Sequence, residues 1–216
     1  MRNLNTLFTL LAIMAFTATG FGQSAEKLLE KLSEKAKGYN TIYAEFESTL
    51  VDKQADLEMT QEGKVKVKGE KYRLNLQDYI IISDGENVWT YEKETNTTYI
   101  DYKEDTEQGS VSPSDIFTIW ETGFKSTSKG TVQENGKTLE VIDLYPKDPS
   151  DKPYHTIKLH IDKSTMEIKK VIVKGREGSD TVYDVKEFEA NREFKDSEFT
   201  FSKSEFPGVE VIDNRI

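Results

Sequence analysis

The chain has 216 residues, of which 31% are charged and 36% hydrophobic, and its 39 acidic residues outnumber its 29 lysines and arginines. The resulting negative charge disfavours binding to nucleic acids and to anionic membrane surfaces, because both repel an acidic protein. No cysteine is present, which excludes disulfides, thiolate chemistry and the acylated cysteine of a bacterial lipoprotein.

The first 22 residues have the features of a secretory signal peptide. Arg2 precedes an apolar run over residues 4–17, and Gly20-Phe21-Gly22 is a small-x-small cleavage sequence. The run is shorter than the roughly 20 apolar residues of a transmembrane anchor. We therefore expect export to the periplasm with cleavage after Gly22. The mature domain, residues 23–216, is expected to be a soluble monomer without a stable membrane anchor.

The mature chain is predicted to open with an amphipathic helix. Ser24 is a suitable N-cap, Gly38 is a stop signal, and an apolar stripe is formed by Leu28, Leu29, Leu32 and Ala36. The hydrophobic period then changes from near 3.6 residues to 2, over residues 42–50 and again over 64–76. This change predicts antiparallel strands with one apolar and one polar face.

The next predicted hairpin is unusually rich in large apolar side chains. Asp84-Gly85 supplies the positive backbone dihedrals of a two-residue turn, so residues 79–82 and 88–91 are expected to pair. Apolar side chains occur at both parities of these strands. Either both faces of the hairpin are covered, or one face lines a cavity.

A second helix is predicted from Ser112 to Glu121, with Pro113 at its first position and Gly123 after its end. Strand patterns resume after this helix and bring the total to about ten or eleven. The fold class predicted is mainly β with α: a single curved antiparallel sheet forming an open, incomplete barrel, with helices on its concave side. A β-sandwich is the competing architecture.

Patterns typical of catalysis and of metal binding are missing from the sequence. The two histidines, His155 and His160, are five positions apart on one predicted strand and therefore point to opposite faces. Neither a Gly-x-Ser-x-Gly sequence nor a phosphate-binding glycine-rich loop occurs. We expect a protein that is not an enzyme and has no catalytic residues, no metal site and no cofactor.

The hairpin sequence Ser83-Asp84-Gly85-x-x-Val88-Trp89-x-Tyr91 resembles the Ser-Asp-Gly-x-x-Leu-Trp-x-Tyr segment of the periplasmic outer-membrane lipoprotein carrier family, LolA. Further similarities follow the family's order along the chain, at Phe46, Gly63-Lys64-Val65, residues 198–201 and residues 207–211. One feature departs from the family. Its best-studied members carry an Arg-Pro pair, thought to hold a helical lid closed, where this chain has Gly69-Glu70.

The resemblance implies a hydrophobic cavity that takes the acyl chains of lipoproteins. It further implies that an inner-membrane lipoprotein-releasing ABC transporter supplies the acylated lipoproteins, for delivery to an outer-membrane acceptor that the sequence does not identify. The residues expected to form the cavity and its lid are Phe46, Leu50, Leu74, Ile82, Trp89, Tyr91, Ile116, Phe117 and Trp120.

Other functions remain open at this point. The same fold would serve as a periplasmic binding module for another lipid or glycolipid, or as a lipoprotein-sensing regulatory domain. A periplasmic hydrolase is disfavoured, because the sequence offers no nucleophile or metal constellation. Composition alone favours the simpler interpretation that Trp89, Tyr91 and Trp120 belong to the core.

Overall fold

The structure, a computed structural model, describes residues 20–106, 114, 118–150 and 152–215. These residues contain two α-helices, α1 (Gly20–Lys37) and the single turn α2 (Lys103–Thr106), and two 3₁₀ turns at Ile119–Glu121 and Asp196–Phe199. The strands are β1 (Ile42–Asp52), β2 (Leu57–Lys68), β3 (Lys71–Asn75), β4 (Tyr79–Ser83), β5 (Asn87–Glu92), β6 (Thr97–Tyr102), β7 (Phe124–Glu134), β8 (Lys137–Pro146), β9 (Tyr154–Asp162), β10 (Glu167–Gly175), β11 (Ser179–Ala190) and β12 (Glu210–Asp213).

All of these strands belong to one sheet, in the order β12-β6-β5-β4-β3-β2-β1-β11-β10-β9-β8-β7. Neighbours pair antiparallel except β12, which pairs parallel to β6. Because β7 and β12 end the sheet without pairing to each other, it stays open. The predicted fold class, a single open sheet with few helices, is confirmed, with twelve strands instead of ten or eleven.

The register of the strands assigns every side chain to one of two faces. Ala44 lies opposite Val65, which lies opposite Leu74, so these side chains share a face. The strand pairing continues this face through β11, β10 and β9 to β8, where α1 packs on it. We name this side the inner face and the opposite side the outer face.

Helix α1 packs on the inner face of β8, β9 and β10. Leu29 and Leu32 are buried against strand residues that include Ile142, Leu144, Ile157, Leu159 and Ile161. The apolar stripe predicted from the sequence therefore does meet a sheet. The helix begins at Gly20, four residues before the predicted cap at Ser24, and ends at Lys37, as the Gly38 stop signal predicts.

The outer face is covered elsewhere, by residues 191–209, which we name the C-terminal strap. Phe206 of the strap packs on Ile82 and Trp89, and its ring lies 4.3 Å from that of Tyr91. Phe199 is fully buried beside the ring of Phe194. After the strap, the chain forms β12, which pairs with β6 at one edge of the sheet.

Ion pairs fix the strap to strands β2 and β3. Lys66 Nζ lies 2.6 Å from Glu198 Oε2, and Lys68 Nζ lies 2.7 Å from Asp196 Oδ1. Arg73 forms a two-pronged pair with Glu205. The alternation of Lys and Val in β2 predicts a polar face, and the structure shows that strap carboxylates occupy part of it.

The Asp-Gly turn is present, with one correction to its predicted position. Ser83 pairs with Val88 and the Asp84 nitrogen donates to the Asn87 oxygen, so Gly85 and Glu86 form the two-residue loop. Gly85 has a φ of 99°, and the Asp84 carboxylate accepts hydrogen bonds from the Glu86 and Asn87 nitrogens. Asp84 therefore stabilises the turn from its flank.

Replacing Phe199 by Ala should destabilise the protein by about 3–5 kcal/mol, because it removes a fully buried aromatic side chain and leaves a cavity under the strap. Urea unfolding followed by circular dichroism measures the change. Tyr102→Ala is the control, since this aromatic side chain is 43% exposed. A Phe199→Ala variant no less stable than the control would show that the strap is not part of the folded core.

Candidate functional site

An apolar surface lies on the inner face of β1, β2, β3 and β11, next to the cluster that α1 covers, against which Tyr183 packs. It consists of Phe46, Leu50, Met59, Leu74 and Tyr183, and we name it the inner apolar surface. Leu50 and Met59 are 37% and 58% exposed, and the other three side chains are half-buried. Exposed apolar groups that lie together on one face are typical of a binding surface.

Gly63 makes room for the aromatic ring at the centre of this surface. Gly63 pairs with Phe46, and a Cβ at this position would lie 2.3 Å from Phe46 Cζ. The Phe46 ring therefore lies flat across β2 and meets the edge of Tyr183, 5.9 Å away. Burial raises the pKa of Tyr183, since its apolar surroundings disfavour the phenolate.

Three of the residues predicted for the cavity lie on the other side of the sheet. Leu74 pairs with Ile81, so the next residue, Ile82, points to the outer face, where it pairs with Trp89. Tyr91 lies two positions after Trp89 and therefore also points to the outer face. Because side chains alternate along a strand, these three residues cannot share a cavity with Phe46 and Leu74. They pack under the strap instead.

Trp120 joins the cluster between α1 and the sheet. Its side chain is 7% exposed, and its Nε1 donates a 2.7 Å hydrogen bond to Ser33 Oγ on the helix. The adjacent Glu121 forms a 2.8 Å ion pair with Lys37, and bonds from Lys37 and Ser33 lower the pKa of Glu121. The Ile119–Glu121 turn is thus fastened to α1.

Two residues of the predicted lid helix, Ile116 and Phe117, lie outside the described residues. Of the predicted helix over residues 112–121, the structure describes a turn at Ser114 and at Thr118, followed by the Ile119–Glu121 turn. The roles of Ile116 and Phe117 stay predictions.

The turn between β2 and β3 takes the place of the family's Arg-Pro pair. Gly69 has a φ of 58°, a left-handed conformation that suits this tight turn. Glu70 Oε2 lies 2.7 Å from Lys103 Nζ, at the point where the chain leaves β6. At this position the chain therefore carries a carboxylate with a lysine partner. Arg73 lies within β3 and pairs with the strap on the outer face.

Two cavities differ sharply in character. A cleft of about 10 Å³ between α1 and the sheet is lined by Leu32, Ala36, Tyr39, Met166, Glu167, Ile168 and Phe188. It leaves no room for an acyl chain while α1 is in place. A groove of about 600 Å³ at the start of the strap is lined by polar and charged groups, among them Lys68, Arg192 and Glu198. Its lining does not suit an apolar ligand.

The described residues include no group of three or more His, Asp or Glu side chains able to hold a metal ion. His155 is exposed, whereas His160 is 6% exposed on the outer face, opposite Val141 and Lys170. Burial lowers the pKa of His160, and the opposing effect of Glu134, whose Oε1 lies 3.0 Å from Nδ1, does not cancel it.

Residues 37–202 match the family model of the outer membrane lipoprotein carrier protein LolA. The chain belongs to this family. A comparison with curated protein sequences gave no match. Among residues 20–106, 114, 118–150 and 152–215, no helix is long and apolar enough to cross a membrane.

Three solved structures are similar to this chain at low sequence identity, and the first of them shares its fold. An uncharacterized conserved protein from Thermus thermophilus is 12% identical with a TM-score of 0.57, over 89% of this chain and all of that one. A putative outer membrane lipoprotein-sorting protein domain from Vibrio parahaemolyticus is 12% identical, with a TM-score of 0.47 over 83% and 97%. A LolA superfamily protein from Nitrosomonas europaea is 14% identical, with a TM-score of 0.44 over 82% and 97%.

Sequence reasoning overlooked Met59 and Tyr183 as members of the inner apolar surface. The alternation over residues 179–190 contained a signal for Tyr183, because Tyr183 and Val185 are two positions apart on β11. Met59 gave a weaker signal, since its neighbours Glu58, Thr60 and Gln61 are all polar.

His160 should make the stability of the fold depend on pH near neutrality. Its lowered pKa means that, below the ordinary value of 6.5, the unfolded chain binds a proton that the folded chain resists. The contribution of His160 to the free energy of unfolding therefore falls as the pH decreases below 6.5. His160→Gln removes it, and the variant should lose less stability than the wild type between about pH 7.5 and about pH 5.5.

Urea unfolding at both pH values measures this difference. The charged groups near His160 are Glu134, Lys158 and Lys170, and all of them are unchanged in the variant. An equal loss of stability in both proteins would mean that His160 titrates normally in the folded state.

Proposed function

We propose that this protein is a periplasmic carrier that binds the acyl chains of lipoproteins on the inner apolar surface and moves them from the inner to the outer membrane. The observation that carries the proposal is the uneven cover of the inner face. Helix α1 buries the strands from β8 to β10, while Phe46, Leu50 and Leu74 remain partly accessible. Membership of the carrier family supports the choice of lipoproteins as cargo.

The chemistry of this surface suits hydrocarbon chains. Charged residues of β1, such as Glu45 and Glu47, point to the outer face together with Lys64 and Lys66 of β2. The inner side of residues 42–50 is therefore free of charge. Each methylene buried there contributes about 0.8 kcal/mol, so a sixteen-carbon chain gains on the order of 12 kcal/mol when fully sheltered.

In this proposal the cargo binds first beside α1. Entry under the helix would separate Trp120 from Ser33 and expose the buried cluster around Leu29 and Leu32. The inner apolar surface requires no such disruption. Trp120 then anchors one end of the connection that contains Ile116 and Phe117, the two remaining lid residues expected from the sequence.

The partners follow from the same proposal. An inner-membrane lipoprotein-releasing ABC transporter supplies the cargo, and an outer-membrane component of unknown identity accepts it. Export rests on the signal-peptide features of the first 22 residues. The protein binds and releases its cargo without catalysing a reaction and without a cofactor.

Leu50→Asp should weaken the binding of a triacylated lipopeptide by about tenfold or more, because a carboxylate on this surface loses its hydration when an acyl chain covers it. Isothermal titration of the mature protein measures the affinity. Val132→Asp is the matched control: Val132 is 36% exposed against 37% for Leu50, and it lies on the outer face of β7. Equal effects of the two substitutions would contradict an inner binding surface.

Depletion of the protein in its native host should cause outer-membrane lipoproteins to accumulate in the inner membrane. Membrane fractionation after metabolic labelling of lipoproteins measures their distribution. Normal lipoprotein sorting with altered free lipids or glycolipids would favour a lipid-binding module of the same fold over a lipoprotein carrier.

A further inference from the structure

Strand β2 has an unpaired edge along half of its length. It pairs with β1 throughout residues 57–67, but with β3 only over residues 64–68. Within the described part of the chain, no backbone group of residues 57–63 bonds to another strand on the side away from β1. We name this segment the β2 edge.

The β2 edge is exposed and regular. Leu57 and Met59 are 45% and 58% exposed on the inner face, and Glu58, Thr60 and Glu62 are exposed as well. Natural proteins usually blunt an open edge with proline, a bulge or a lysine, because free backbone groups recruit other strands. The β2 edge contains no proline or lysine, and its pairing with β1 has no bulge.

The charges of the β2 edge disfavour pairing with a second copy of itself. An antiparallel pair of these segments centred on Thr60 would place Glu58 of one copy opposite Glu62 of the other. Like charges in directly opposed positions of a sheet are destabilising. A strand of different sequence is therefore the better occupant.

The same charges favour a basic partner. Glu62 lies directly opposite Glu47 of β1 on the outer face. Glu47 has Lys186 at 3.4 Å, whereas Glu62 has no cation within 4.0 Å among the described residues. A lysine or arginine on an added strand would relieve this repulsion.

We propose that the β2 edge accepts an extended segment of a partner protein as an added strand. The segment carries apolar side chains at alternate positions, which continue the inner face beside Leu57 and Met59. Lysine or arginine occupies the positions between them and faces Glu58 and Glu62. Seven residues suffice, since the β2 edge spans about 20–23 Å at about 3.3 Å per residue.

This site shares Met59 with the inner apolar surface but recognises its partner through different chemistry. Backbone hydrogen bonds and outer-face carboxylates hold the partner, whereas acyl chains require only the apolar inner face. The double variant Glu58→Lys/Glu62→Lys is therefore expected to bind triacylated lipopeptide as the wild type does, and the two proposals fail independently.

The test uses two synthetic probes, acetyl-Val-Lys-Val-Lys-Val-Lys-Val-amide and the same peptide with Glu in place of Lys. Fluorescence anisotropy should show that wild-type protein binds the lysine peptide at least tenfold more tightly than the glutamate peptide. The Glu58→Lys/Glu62→Lys variant should reverse this preference. Glu30→Lys/Glu34→Lys is the matched control, because it changes the net charge equally at exposed positions of α1.

Two further measurements separate strand addition from general charge attraction. A lysine peptide methylated at alternate backbone nitrogens should bind at least tenfold more weakly when the methylated edge faces β2, since strand addition needs those N–H groups. Amide hydrogen exchange should slow within residues 57–63 when the unmodified peptide binds.

Three results would overturn the proposal. The first is a control variant that reverses the preference as fully as Glu58→Lys/Glu62→Lys does. The second is equal binding of peptides methylated on either edge. The third is protection of the β2 edge by dimerisation of the wild-type protein alone, detected by sedimentation.

Discussion

The structure depends on the burial of two faces of one open sheet by two short segments of chain. Helix α1 covers the inner face of the last strands, and the C-terminal strap covers the outer face of the first strands. On the outer face of β4, Ile82 is buried because the strap covers it, whereas Ile81 on the inner face stays half-buried. Ile82 meets Phe206 of the strap, which is more than 120 positions away in sequence.

The two covers lie diagonally across the sheet and leave two different surfaces. On the outer face of β8 to β11, charged side chains pair with one another. Lys170 forms ion pairs with both Glu134 and Asp184, and Lys158 forms one with Asp143. The inner face of β1 to β3 has no comparable charges and stays apolar. The candidate binding surface is thus the part of the sheet that lies outside both covers and carries no ion pairs.

Two features of this chain lie at the ends of strands β2 and β3. The β2–β3 turn carries Glu70, paired with Lys103, where an Arg-Pro pair is expected from the resemblance. Beyond β3, the N-terminal half of β2, residues 57–63, has one unpaired edge. Both features depend on strand length and register and leave the apolar alternation of the sheet intact.

The sequence by itself determined the open antiparallel sheet, the amphipathic helix and the family, because alternation, turns and motifs are local. It also predicted one cavity for nine residues, of which the structure places Phe46, Leu50 and Leu74 on one face. Tertiary structure alone decided that Ile82, Trp89 and Tyr91 lie under the strap, and that Trp120 lies under α1. A period of two separates the faces of a strand but does not say what covers them. That depends on contacts such as Lys66 with Glu198, which lie 132 positions apart and leave no local pattern.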